Sequence, residues 1–149
     1  MATRLQLRRG STTENNNFTG AEAELTYDKT TKGLRIHDGS KQGGYMVDTV
    51  VAFQAPTAEN NYSWYRKYAS GWVEQGGSLG VGNNPVSLPV KMKDINYTIT
   101  LALLNSENNN NTFGYRIYQI TNTNFTVRTV YNGTQYNYIF CWEVKGMAA

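Results

Sequence analysis

The chain has 149 residues, with 14 Lys or Arg against 11 Asp or Glu and a single cysteine, Cys141. That length suits one medium domain or two small ones. A formal net charge of +3 scattered along the sequence is too mild for a nucleic-acid protein, whose cations cluster on one face, and a lone cysteine excludes an internal disulfide framework.

No apolar run at the start has the character of a secretory leader, and no stretch approaches the roughly 20 apolar residues of a membrane span. The expectation is a soluble protein made in a reducing cytoplasm, with no membrane insertion and no nucleic-acid partner. Tyr, Thr, Val, Ile and Phe favour a pleated surface, and the abundant Asn and Gly serve turns, so the fold class is expected to be all-β.

The opening segment from Arg4 to Ser40 is polar and nearly empty of large apolar side chains. Leu5 and Leu7 alternate with Arg4, Gln6 and Arg8, a period of two. Glu24-Leu25-Thr26-Tyr27 and Gly33-Leu34-Arg35-Ile36-His37 read as strands joined by a polar turn that ends in Gly33, a hairpin signal. Asp38-Gly39 is a further turn dipeptide. Each strand offers two or three apolar side chains, and an isolated hairpin of that size is marginal in water. At about 25 cal/mol per Å2 of apolar burial it gains too little against a backbone ordering cost of roughly 1–2 kcal/mol per residue. The segment is therefore expected to pack against copies of itself about a symmetry axis, its polar faces meeting solvent.

Residues 51–61 read as a connector, interrupted by Pro56, with room for a short helix over Asp48 to Gln54. Further strands follow at Trp64 to Tyr68 and Trp72 to Gln75. Val86 to Met92 alternates strictly, with Pro89 marking an edge or bulge. The stretches Tyr97–Leu104, Gly114–Ile120 and Phe125–Tyr131 come next, then the hairpin dipeptide Asn132-Gly133. The last strand would place Tyr136, Tyr138, Phe140, Trp142 and Val144 on one core face. This spacing of short strands implies a β-sandwich or jelly roll. The division is 1–50 for an N-terminal β module, 51–61 for the connector and 62–149 for a C-terminal β-sandwich.

Two stretches carry a resemblance to a known family. Leu5, Leu7, Arg8, Arg9, Gly10, Thr13, Glu24, Leu25, Asp28, Leu34, Arg35, Ile36, Asp38 and Gly39, in that order, resemble the N-terminal module of bacteriophage tail fibres known from the major tropism determinant. Trp64 to Gly77 and Phe140 to Gly146 are similar to the opening and close of a C-terminal head domain of phage and prophage tail fibres. The resemblance implies a homotrimer with a β-prism-like N-terminal module in a trimerising or attachment role and a β-sandwich head, placed in the virion beside other phage virion proteins. Because only a short connector separates the two parts, it implies a compact spike, tip or head-decorating fibre rather than a long shaft. Leu5, Leu7, Leu25, Leu34 and Ile36 would then face the three-fold axis.

Catalytic constellations are sparse. A nucleophilic triad needs a base beside the nucleophile, and His37 is the sole imidazole. Three copies of it around a metal on a trimer axis weigh less than a surface or hydrogen-bonded histidine, so no metal and no cofactor are expected. Glycosidases need two carboxylates about 5–10 Å apart. The candidates are Glu74, Asp94, Glu107 and Glu143, of which Asp94 and Glu107 fall in a turn and a loop. Cys141 is expected to be a buried thiol. The glycine-rich run Gly76 to Gly82 lacks the Lys-Ser/Thr ending of a phosphate loop. A non-enzymatic role is the expectation.

Surplus aromatics beside Asn-rich loops point instead to recognition. Tyr and Trp offer rigid contact area with a polar tip, and functional loops sit on rigid scaffolds. Tyr62, Tyr115 and Tyr131, with Asn108, Asn109, Asn110 and Asn111, are the expected contacts to a host receptor, a bacterial surface glycan or protein. The alternative is a capsid head fibre or decoration protein with no receptor role; an enzyme acting on surface polysaccharide and a free lectin stand behind it.

Overall fold

The computed structural model of the chain describes residues 6–82, 84–104 and 113–149. Its elements are β1 (Arg8–Gly10), α1 (Thr12–Asn16), β2 (Glu22–Asp28), β3 (Gly33–Asp38), β4 (Tyr45–Val47), β5 (Val50–Gln54), a 3-10 turn (Ala58–Asn60), β6 (Trp64–Tyr68), β7 (Trp72–Val81), β8 (Pro85–Ser87), β9 (Thr98–Leu104), β10 (Phe113–Tyr118), β11 (Asn124–Tyr131), β12 (Thr134–Gln135) and β13 (Ile139–Met147). The fold is all-β, as the composition implies. It divides into two compact units, Met1–Ala52 with Tyr68–Ser70, and Phe53–Lys67 with Gly71–Ala149.

In the first unit a four-stranded sheet runs β1-β2-β3-β4. The hairpin β2–β3 pairs Leu25 with Ile36 and Tyr27 with Leu34, and β4 extends it by pairing Tyr45 with Ile36 and Val47 with Leu34. The expected first strand is present but shifted, starting at Arg8 and running parallel to β2. Parallel neighbours need a crossover connection, and α1 lies within it. That helix was not expected, because Thr12–Asn16 lacks apolar periodicity and holds a single strong helix former, Glu14. It starts at a capping box in which Ser11 Oγ accepts from Glu14 N, while the Glu14 carboxylate accepts from Ser11 N, satisfying two otherwise orphaned donors.

A five-stranded sheet runs β5-β6-β7-β13-β9, belonging to the second unit except for Val50–Ala52 and Tyr68, and a second sheet of that unit holds β10-β11-β12 with β8 also on β11. Their inner faces share one apolar cluster: Val73, Phe140, Trp142 and Val144 from the first meet Val86, Phe125 and Val127 from the second, with Leu88 and Met92. Phe125 sets its ring against Trp142 at 5.8 Å, interplanar angle 75°, a favoured edge-to-face arrangement.

Three expectations are corrected here. Residues 50–54 form a strand, not a helix, in keeping with the β preference of Val50, Val51 and Phe53. The alternating run Val86–Met92 is a strand over Pro85–Ser87 alone. Past Pro89 the chain leaves the ladder and is held by mixed bonds: Val90 donates its amide to Gln75 Oε1 while Gln75 Nε2 donates to the Val90 carbonyl, and the Met92 amide donates to the Asn122 carbonyl. Finally, Tyr136 and Tyr138 do not join the core face of Phe140, Trp142 and Val144. They precede β13, so its alternation does not reach them, and Tyr136 is 55% exposed.

Candidate functional site

The sheet of the first unit has its faces inverted relative to ordinary expectation. Thr26, Asp28, Arg35 and His37 alternate along β2 and β3 onto one side, and all four are buried. Asp28 Oδ2 accepts from Arg35 Nη2 at 3.1 Å, and its Oδ1 accepts from Thr12 Oγ1 and from the amides of Thr30 and Thr31. The other arm of Arg35 donates to the Gly43 carbonyl. His37 Nδ1 accepts from the Gly20 amide and Nε2 lies 3.0 Å from Thr26 Oγ1, with Phe18 edge-on at 5.3 Å. Gly20 and Gly44 line this ring closely; a Cβ at either would fall within 3 Å of it. The expected solvent-facing polar side is thus an internal hydrogen-bonded network. Buried polar groups persist when paired, and here pairing comes from α1 and the loops around Gly20 and Gly43.

The opposite side of the same sheet is apolar and open. Register places Leu25, Ile36 and Tyr45 in one cross-strand row and Arg9, Tyr27, Leu34 and Val47 in the next. Leu25 is 39%, Ile36 44% and Tyr45 52% exposed. Leu25, Leu34 and Ile36, expected to act together, therefore share one face. Leu7 is exposed just before β1, and Leu5 lies outside the described residues. Tyr27, Tyr45 and Val47 were missed. Tyr27 was legible as the next alternate residue after Leu25, whereas Tyr45 and Val47 become neighbours only through the β3–β4 register.

Hydrogen bonds hold four carboxylates of this unit, Glu14, Glu24, Asp28 and Asp38, below their ordinary pKa values. Asp38 is brought down to about 2 by the Lys41 and Ser40 amides, with the Ser40 hydroxyl assisting. For Asp28, burial is the largest influence and pushes upward, but the bonds from Thr31, Thr12, Arg35 and Thr30 together outweigh it and leave the pKa lowered. The Ser11 amide and hydroxyl lower Glu14, and the Ala21 amide lowers Glu24.

In the second unit the expected receptor contacts are scattered. Asn108, Asn109, Asn110 and Asn111 lie outside the described residues, as does Glu107. Tyr131 sits in a ring cluster with Phe113, Tyr136 and Tyr138 at centroid distances of 5.5, 6.1 and 6.4 Å. Tyr115 is exposed on β10. Tyr62 lies apart from both, at a cleft it shares with Pro56, Trp64 and Ser78. Asp94 caps a turn by accepting from the Asn96 amide, and Glu143 pairs with Lys145 at 3.2 Å. Cys141 is half-buried rather than buried, because it alternates with Phe140 and Trp142 and so faces away from the core. Both nitrogens of His37 are engaged within its own unit. Among the described residues no group of three or more His, Cys, Asp or Glu side chains is arranged to hold a metal ion, and no helix is long and apolar enough to cross a membrane.

Comparison with known proteins adds one finding for the first unit. Residues 5–41 match the family model of the major tropism determinant N-terminal domain. Neither the curated proteins nor the solved structures give a match. The first unit is thus similar to a phage tropism domain, which supports a phage-related structural protein.

Proposed function

We propose that the chain is a homotrimeric, non-enzymatic component of a phage virion. Its first unit closes the open apolar face onto two further copies, and its second unit presents a surface to a bacterial receptor. The carrying observation is the outward row Leu25, Ile36 and Tyr45 beside Tyr27, Leu34 and Val47, on a sheet whose inner side is polar. A contiguous exposed apolar patch marks an interaction surface, and among its described residues this unit has no comparable apolar core of its own. The similarity of residues 5–41 to the tropism domain supports the virion setting and a structural rather than catalytic role.

Three copies of the second unit on one assembly would raise avidity for a repetitive surface by about 10^2–10^4-fold, provided all engage at once. Sedimentation equilibrium of the full chain tests the assembly: a single species of three times the chain mass is expected, and a folded monomer or a dimer at micromolar concentration overturns it. Gold-labelled antibody on particles then distinguishes a tail position from a capsid position.

A further inference from the structure

We propose that the outer face of the five-stranded sheet carries a binding cleft for a neutral oligosaccharide, centred on Trp64. The proposal deepens, and rests on, the reading of the second unit as a receptor-presenting head.

Three strands build the centre of the cleft. Trp64 on β6 lies opposite Gly76 on β7, which lies opposite Glu143 on β13. A Cβ at Gly76 would fall 2.8 Å from the indole Nε1 and 2.9 Å from Cε2. Glycine here lets the ring lie directly on the backbone of the sheet, where it stays half-buried. The adjoining cross-strand row is Arg66, Glu74 and Lys145. Phe53 on β5, 71% exposed, and Pro56 in the β5–β6 connection complete the lining. The resulting cleft has a volume of about 500 Å3, inside the range of roughly 300–1,000 Å3 for small-ligand sites. A second cleft of about 340 Å3 reaches toward Tyr62 and Ser78 and shares Pro56 and Trp64 with the first. The shared walls Pro56 and Trp64 make the two clefts neighbours.

The chemistry of the lining selects the ligand class. The face of an indole is the negative pole of its quadrupole and attracts the C–H face of a pyranose. Carboxylates accept strongly from hydroxyl donors in charge-assisted bonds, and Glu74 and Glu143 both border the ring's cleft. A purely apolar ligand would strip water from Arg66, Glu74 and Glu143 without replacing those hydrogen bonds, which is costly. Arg66 is the cation of the lining, against the two anions Glu74 and Glu143, and Lys145, outside it, pairs with Glu143 at 3.2 Å, so the site offers no net attraction to a phosphorylated or uronic-acid chain. A neutral sugar meets all of these conditions.

The test titrates the full chain with maltotriose, cellotriose and chitotriose, and with polygalacturonate as the anionic control, following tryptophan fluorescence and calorimetric heat. At least one neutral trisaccharide is expected to bind in the millimolar range or tighter. Trp64→Ala is expected to weaken it tenfold or more, Trp64→Phe less, and Glu143→Gln several-fold. Should Trp64→Ala fail to fold, Glu143→Gln and Glu74→Gln carry the test. Silence of all three trisaccharides, unchanged binding in these variants, or a preference for polygalacturonate overturns the proposal. Adherence of the same proteins to bacterial cells separates the two readings. Sugar binding without adherence removes the receptor role and leaves the cleft; adherence that survives Trp64→Ala, with silent titrations, removes the cleft and leaves the receptor role.

Discussion

The carboxylate of Asp28 and the guanidinium of Arg35 meet at 3.1 Å inside the first unit, with side-chain exposures of 0% and 7%. A buried pair of this kind adds little over a well-packed apolar pair, yet removing one partner leaves an uncompensated charge. Asp28→Ala is therefore expected to cost roughly 3–5 kcal/mol, read from urea unfolding followed by the NMR signals of His37, the chain's single histidine. The double change Asp28→Leu with Arg35→Met is expected to remain destabilising, because the Thr30 and Thr31 amides and the Gly43 carbonyl would still lose their partners.

Acid should unfold the first unit before the second. The folded pKa values of Asp28, Asp38, Glu14 and Glu24 all lie below their ordinary values of 3.8 and 4.5. Protons therefore bind the unfolded chain more readily, and the stabilisation is complete above the unfolded values. It drains away as pH falls from about 4.5 toward the value of about 2 at Asp38. The core of the second unit is apolar and contains none of these groups. Trp64, Trp72 and Trp142 all belong to that unit, so far-UV circular dichroism should change in this window while tryptophan fluorescence stays native-like. Simultaneous loss of both signals would contradict the expectation.

Charge on the open apolar face should break assembly without unfolding the chain. Ile36 is 44% exposed in the isolated chain, so Ile36→Glu costs little there but would bury an unpaired carboxylate in a trimer. The expected result is a monomer by light scattering with an unchanged circular dichroism spectrum. A trimer that tolerates Ile36→Glu would place the interface elsewhere.

Arg116 and Arg128 stand directly opposite each other on β10 and β11, both exposed, and strands β8, β10, β11 and β12 contain no carboxylate. Like charges in that relation are destabilising, and opposite charges contribute roughly 0.2–1 kcal/mol. Arg128→Glu is expected to raise stability by about that amount in low-salt urea titrations, and the gain should shrink as salt is added.

Gly77 supports Trp142 from the core side, as Gly76 supports Trp64 on the outer side. A Cβ at Gly77 would fall 2.8 Å from Trp142 Nε1, and Trp142 is buried among core residues. Overpacking of this kind costs about 1–3 kcal/mol. Gly77→Ala should lower the midpoint followed by tryptophan fluorescence by a corresponding amount.

Local pattern alone determined much of the architecture. Period-two alternation in β2 and β3, with a polar turn between them, carried the hairpin and placed Leu34 and Ile36 on one face, to which the β2–β3 register adds Leu25. The dipeptide Asn132-Gly133 marked the turn before β12, whereas α1 was not expected, although Ser11 and Glu14 stand at capping-box spacing. What lay beyond sequence was which side of each strand faces inward. Alternation separates two faces but does not say which is covered. The burial of Asp28, Arg35 and His37 depends on partners at Thr12, Gly20 and Gly43, brought close by α1 and two loops. Likewise Trp64, Gly76 and Glu143 become neighbours only through register across three strands. Hydrogen bonding between distant segments decides such encounters, and no local spacing encodes it.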